Sequence, residues 1–168
     1  SVDASAAHGA AGTWLLDPED VVIDAVPNFN VMPMLVGGEL TFSFIAQDVA
    51  STIGVAGIVA ALNAGNNVRI TTDGTITVAA PIAKAADVGG DGSLLTLEAV
   101  GTITVNALSA INSAVGLLNV VFDTDAGVVI NAPITTNGGS FTSTGTTFTS
   151  NALGTITTAG GTVSIVHT

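Results

Sequence analysis

A Gly-led strand that returns along the chain restricts the possible folds more than any other feature. GTITVAAPIAK at 74–84 comes back as GTITVNALSAI at 101–111. A first strand precedes each unit: VRITT, LLTLEA, LLNVVFD, SFTSTG and TVSIV. Taking Val68, Leu95, Leu118, Phe141 and Val163 as equivalent gives steps of 27, 23, 23 and 22 residues. The first four are followed by a second strand opening at Gly: GTITVAAP, GTITVNAL, GVVINAP and GTTFTSNA. Short strands with Gly-rich corners and a period near 23 residues fit one coil of a parallel β-helix.

Side chains alternate along GTITV, so Ile76 and Val78 point one way and Thr75 and Thr77 the other. Stacking coils is expected to place Ile76 over Ile103 over Val129 in a narrow aliphatic interior. Asn106, Asn131 and Asn151 close their strands with an Asn-Ala pair and are expected to stack as an internal ladder at one corner. Coils repeat at roughly 4.8 Å, so four make a rod about 20 Å long. The expected class is all-β, a parallel β-helix (β-solenoid).

Composition agrees with that vocabulary. Hydrophobic residues are 48% of the chain, yet only 4% is aromatic and 20 residues are Gly. Apolar content therefore sits in β-branched and small side chains that suit strands and turns. Residues 56–168 carry the coils of about 22–27 residues. Residues 1–55 lack the repeat and read as irregular strands with a loop, part of the solenoid or packed on it. AGIVAALNAG at 56–65 is the best helical stretch, as a short turn of helix or a coil edge.

Thirteen acidic residues face two basic ones, for a formal charge of −11. Nucleic-acid binding rests on several Lys and Arg contacts to phosphate, and this chain has only Arg69 and Lys84. Anionic membrane surfaces are disfavoured for the same reason, and no apolar run reaches the ~18 residues of a membrane span. There is no Cys, so disulfides and thiolate metal sites are absent. The N-terminus shows no signal-peptide pattern and reads as a processed end or a cut from a longer chain.

Four stretches together resemble a known family: GTWLLDPEDVVIDA (12–25), IVAALNAGNNVRITTDGTITVAAPIAK (58–84), LTLEAVGTITVNA (95–107) and INAPITTNGGSFTSTGTTFT (130–149). They are similar to the filamentous-haemagglutinin-like large exoproteins of Gram-negative bacteria, in which a Trp-Leu-(Leu/Ile)-Asp-Pro segment precedes solenoid coils. The resemblance implies a right-handed parallel β-helix within a large adhesin, secreted by two-partner secretion through an outer-membrane transporter and displayed at the cell surface. That family's secretion domain carries Asn-Pro-Asn near its start. Pro27, Asn28, Phe29 and Asn30 do not match it, which implies an interior stretch of shaft rather than the export signal. No catalytic residues are carried over.

Candidate sites are few. Asp87 and Asp91 in DVGGDG, and Asp123 and Asp125 in DTD, are possible calcium ligands, but each pair also reads as solvated turn carboxylates. Glycoside or uronide cleavage needs flanking carboxylates or basic groups, and with two cations, no Tyr and His8 and His167 at the termini the inventory argues against an enzyme. Thr75, Thr102 and Thr146 with Thr77, Thr104 and Thr149 suggest a flat Thr ladder, interrupted at Val128 and Ile130. Trp14 reads as a core or cap anchor. The expected function is a non-catalytic shaft of an adhesin serving cell or matrix adhesion and biofilm, meeting a host or bacterial surface. The alternatives are a filament subunit stacking head to tail and a carbohydrate-binding or carbohydrate-cleaving β-helix.

Overall fold

A computed structural model describes residues 20–45 and 50–168. The chain opens with β1 (Asp20–Asp24), β2 (Val31–Val36), β3 (Glu39–Phe44), β4 (Ser51–Gly54) and α1 (Val55–Asn63). Regular coils follow, each with three strands. The first is β5 (Asn67–Thr72), β6 (Thr75–Val78) and β7 (Ile82–Lys84); the second is β8 (Ser93–Ala99), β9 (Ile103–Val105) and β10 (Ile111–Ser113). The third is β11 (Leu118–Thr124), β12 (Gly127–Ile130) and β13 (Ile134–Thr135), and the fourth β14 (Phe141–Gly145), β15 (Thr147–Ser150) and β16 (Ile156–Thr157). A last strand, β17 (Val163–His167), starts one more turn.

Equivalent strands stack into three parallel faces, a β-solenoid of about five turns. One face runs β15-β12-β9-β6-β1-β4, the second β17-β14-β11-β8-β5-β3-β2, and the third β16-β13-β10-β7. The interior is filled by Ile76, Val78, Ile103, Val105, Val128 and Ile130 from the first face, with similar columns from the other two. Phe122 and Phe141, both fully buried, meet edge to face at 5.5 Å between centroids.

Register corrects two sequence-based equivalences. Leu95 stands opposite Val120 rather than Leu118, so the coils advance by 27, 25, 21 and 22 residues along Val68, Leu95, Val120, Phe141 and Val163. Leu118 and Val120 both face inward, and a period of two cannot tell them apart. Val129 is not a core rung. Val128 lies opposite Ile103 and is buried, whereas Val129 lies opposite Thr104 on the outer face. The marker Gly sits one residue closer to the inward position in GVVI than in GTITV, so aligning the glycines shifted the register by one. Ile76 and Ile103 do stand opposite one another.

The N-terminal end departs from simple winding. β1 lies between β4 and β6, so a strand from the start of the chain is inserted under one that follows it by almost thirty residues. β2 turns back antiparallel on β3 and forms the edge of its face. On the third face the place beyond β7 is taken by α1, which buries Ile58 and Leu62. Asn63 at its end accepts hydrogen bonds through Oδ1 from the amides of Ala85 (2.8 Å) and Ala86 (3.0 Å). This end is therefore closed by a helix and a reversed strand, which confirms the short helix expected near 56–65.

Asp20 fastens the inserted strand. Its carboxylate accepts from the Thr75 amide at 2.9 Å and the Thr75 hydroxyl at 2.6 Å, and these bonds hold its pKa below the ordinary carboxylate value. A depressed carboxylate pKa contributes stability that is complete above the unfolded value and lost as pH falls through the folded one. Thr75→Val is expected to move the Asp20 pKa upward in an NMR titration; an unchanged value would contradict the assignment. The register makes a second prediction. Val128→Ala should cost about 1–3 kcal/mol in urea unfolding and Val129→Ala within about 0.5 kcal/mol; the reverse order would contradict the register.

Candidate functional site

The acidic groups gather where the second face turns into the first. Thr71, Glu98, Asp123 and Thr144 occupy one outward column in successive coils. Beside it lies an open cleft of about 290 Å³ whose lining includes Asp73, Glu98, Asp123 and Asp125. Glu98 is already engaged: Arg69 donates to it through Nη2 at 2.6 Å and Nε at 3.1 Å, and Thr71 through its hydroxyl at 3.0 Å. Asp123 accepts from the Thr144 hydroxyl. The column thus ties neighbouring coils together, although exposed pairs of this kind are worth little individually. Among the described residues no three His, Cys, Asp or Glu side chains converge in a way that would hold a metal.

The four calcium candidates differ in their surroundings. Asp87 turns inward, where its Oδ1 lies 3.3 Å from Lys84 Nζ and its Oδ2 accepts from the Gly92 amide at 3.2 Å. Asp91 sits exposed in the adjoining turn. Asp123 and Asp125 are exposed on the rim of the cleft. A carboxylate paired with a buried ammonium is a poor calcium ligand, so addition of calcium is expected to leave the melting temperature unchanged. A clear rise would reassign the DVGGDG turn.

Lys84 is the feature that sequence reasoning missed. Its side chain is 0% exposed and Asp87 only 7%, and the ammonium also donates to the carbonyls of Val115 (3.2 Å) and Leu117 (3.3 Å). Lys84 occupies the second inward position of its strand, directly opposite Ser113 in the next coil. In later coils that position is Ser113, Thr136 and Thr158, whose hydroxyls donate to the carbonyls of Gly116, Gly139 and Gly161, each three residues on. The corner thus carries a polar column that satisfies carbonyls which the ladder cannot reach. Its sequence signal is a repeated Ile-x-polar triplet in IAK, INS, ITT and ITT. Glycine is required where the corners stack, because a Cβ on Gly139 would overlap the Leu118 carbonyl and one on Gly161 the Gly139 carbonyl.

Both basic residues are therefore consumed by internal contacts. Trp14 lies outside the described residues, as does His8. Asn131 accepts from the Asn151 side chain at 2.9 Å, but this pair and Asn106 sit at the surface of the corner rather than inside it. Thr77 and Thr104 share an outward column, which continues through Val129 to Thr149. The breaks in the Thr array are Gly127 and Val129, not Val128 and Ile130, and Thr147 rather than Thr146 lies in register. His167 is hydrogen-bonded to the hydroxyl of Ser143 at 2.9 Å and rests against Phe148. No protein-family model, curated protein or solved structure matches the chain.

The buried pair gives a direct test. Lys84→Ala leaves an uncompensated carboxylate inside the corner and should cost about 3–5 kcal/mol. Lys84→Met combined with Asp87→Asn should cost less than Lys84→Ala alone in urea unfolding. A double variant worse than the single one would show that the pair contributes more than mutual neutralisation.

Proposed function

We propose that the chain is a non-catalytic structural shaft segment of a secreted, surface-displayed bacterial adhesin, carried out through an outer-membrane transporter. The observation that carries this reading is the way the polar groups are used. Arg69 and Lys84 bind within the fold, and the corner hydroxyls serve neighbouring carbonyls. What is left for contact is a rod surface of Thr, Ser, Asn and carboxylates, with exposed apolar side chains on β2 and at corners such as Leu108 and Leu153, and no convergent reactive set among the described residues. Such a rod works by length: stacked coils hold whatever is attached to them away from the cell, towards a host surface, another bacterium or a biofilm matrix. The resemblance to filamentous-haemagglutinin-like exoproteins points the same way.

Head-to-tail filament formation is the weaker alternative, because an incoming coil would bring β16 against α1 rather than against a strand. Antibodies raised against the chain should label intact cells and be lost after protease shaving. Labelling that requires lysis would overturn the surface assignment. A reducing-sugar release or a glycan-array signal from the purified chain would move the reading to a carbohydrate-acting β-helix.

A further inference from the structure

Asn137 and Gly138 form the one Asn-Gly step in the sequence. They lie in the turn between β13 and β14, and both are exposed. Such a step is chemically labile, because glycine has no Cβ to shield the asparagine side chain from the backbone nitrogen that follows it. The nitrogen of Gly138 is the nucleophile and Cγ of Asn137 the electrophile. Attack forms the N–Cγ bond of a five-membered succinimide and breaks the bond from Cγ to Nδ2, which leaves as ammonia with the proton of the Gly138 amide. One water then opens the ring to aspartate or isoaspartate, so the reaction needs no oxidant, reductant or cofactor.

The fold holds both reacting groups. The Gly138 amide donates to the Thr158 carbonyl in the equivalent turn of the following coil at 2.6 Å, so the nucleophile's proton is engaged. Asn137 Nδ2 donates to the Gly116 carbonyl in the turn of the preceding coil at 3.2 Å. The two groups that must meet are therefore tied to opposite neighbours along the stack. A further bond, from the Thr136 hydroxyl to the Gly139 carbonyl, fixes the turn that carries them.

We propose that Asn137–Gly138 is a self-modification site kept latent by coil stacking, and that it converts only when the contact between the turns at Gly138 and Thr158 opens. Local opening of this kind is ordinary at exposed, sparsely packed positions. The conversion is one-way, and its product does not restore the corner. An aspartate at this position has no N–H for the Gly116 carbonyl and sets a carboxylate oxygen against it. Isoaspartate adds a methylene to the backbone beside the place where Gly139 and Gly161 stack with no room for a Cβ. A chain whose coils have parted is thereby marked. This inference does not depend on the adhesin reading.

The test compares the folded 168-residue chain with a synthetic peptide ITTNGGSF (134–141) at the same mildly alkaline pH, conversion being followed by peptide mass mapping and an isoaspartate assay. Conversion at Asn137 in the folded chain is expected to be at least about tenfold slower than in the peptide, and slower by the factor that protects the Gly138 amide from hydrogen exchange. Asn151, exposed but followed by Ala152, should stay unconverted over the same period. Gly161→Ala, which sets a Cβ against the Gly139 carbonyl, should move the rate several-fold towards that of the peptide. If that variant does not fold, the agreement between conversion and hydrogen exchange in the unaltered chain carries the test. Equal rates in chain and peptide would overturn the inference. So would slow conversion beside a freely exchanging Gly138 amide, or a folded Gly161→Ala chain that converts no faster.

Discussion

Everything in this fold depends on the parallel ladder between one coil and the next. A single turn of some 21–27 residues has three short strands and no second layer to bury their apolar sides. Only the turns above and below supply backbone partners and cover the inward Ile, Val and Leu. Strand registers are consequently strict while corners vary in length, because slack at a corner disturbs no ladder bond. The corners then face their own difficulty, carbonyls turned away from any strand. The chain meets it with one polar residue per coil, hydroxyls in three cases and the buried Lys84 in the first.

Charge follows the same logic. In an interior built of aliphatic columns an ionic group survives only where it is paired, as Lys84 is with Asp87. Among the described residues the other carboxylates lie on outward columns and turns of the N-terminal strands and the first three coils. Towards the C-terminus the chain relies on Thr, Ser and Asn alone, and its outer surface becomes neutral. Charge is therefore graded along the stacked coils, with carboxylates up to Asp125 and no Asp, Glu, Lys or Arg in β14 to β17.

Most of the architecture was legible in the sequence. The Gly-led strands gave the coil, and Ile76 and Ile103 gave a true rung of the core. The errors share a cause. In GVVI three β-branched residues stand in a row, so alternation does not say which faces inward, and Val129 was placed where Val128 belongs. A one-dimensional repeat also assumes that strands stack in chain order, which hides the insertion of β1 between β4 and β6. Nothing in the sequence marks Lys84 as buried, because an isolated lysine is ordinarily exposed. Only the coil register reveals that it stands in the column of Ser113 and Thr136.

The stacking of Ile76, Ile103 and Val128 into one column is the claim on which the rest turns, and methyl–methyl contacts measured by NMR on selectively labelled protein test it most directly. The account predicts through-space cross-peaks from Ile103 to both Ile76 and Val128, and none linking Ile103 to Val129 across the sheet. Cross-peaks from Ile103 to Val129 in place of Val128, or the absence of contacts between coils, would contradict it.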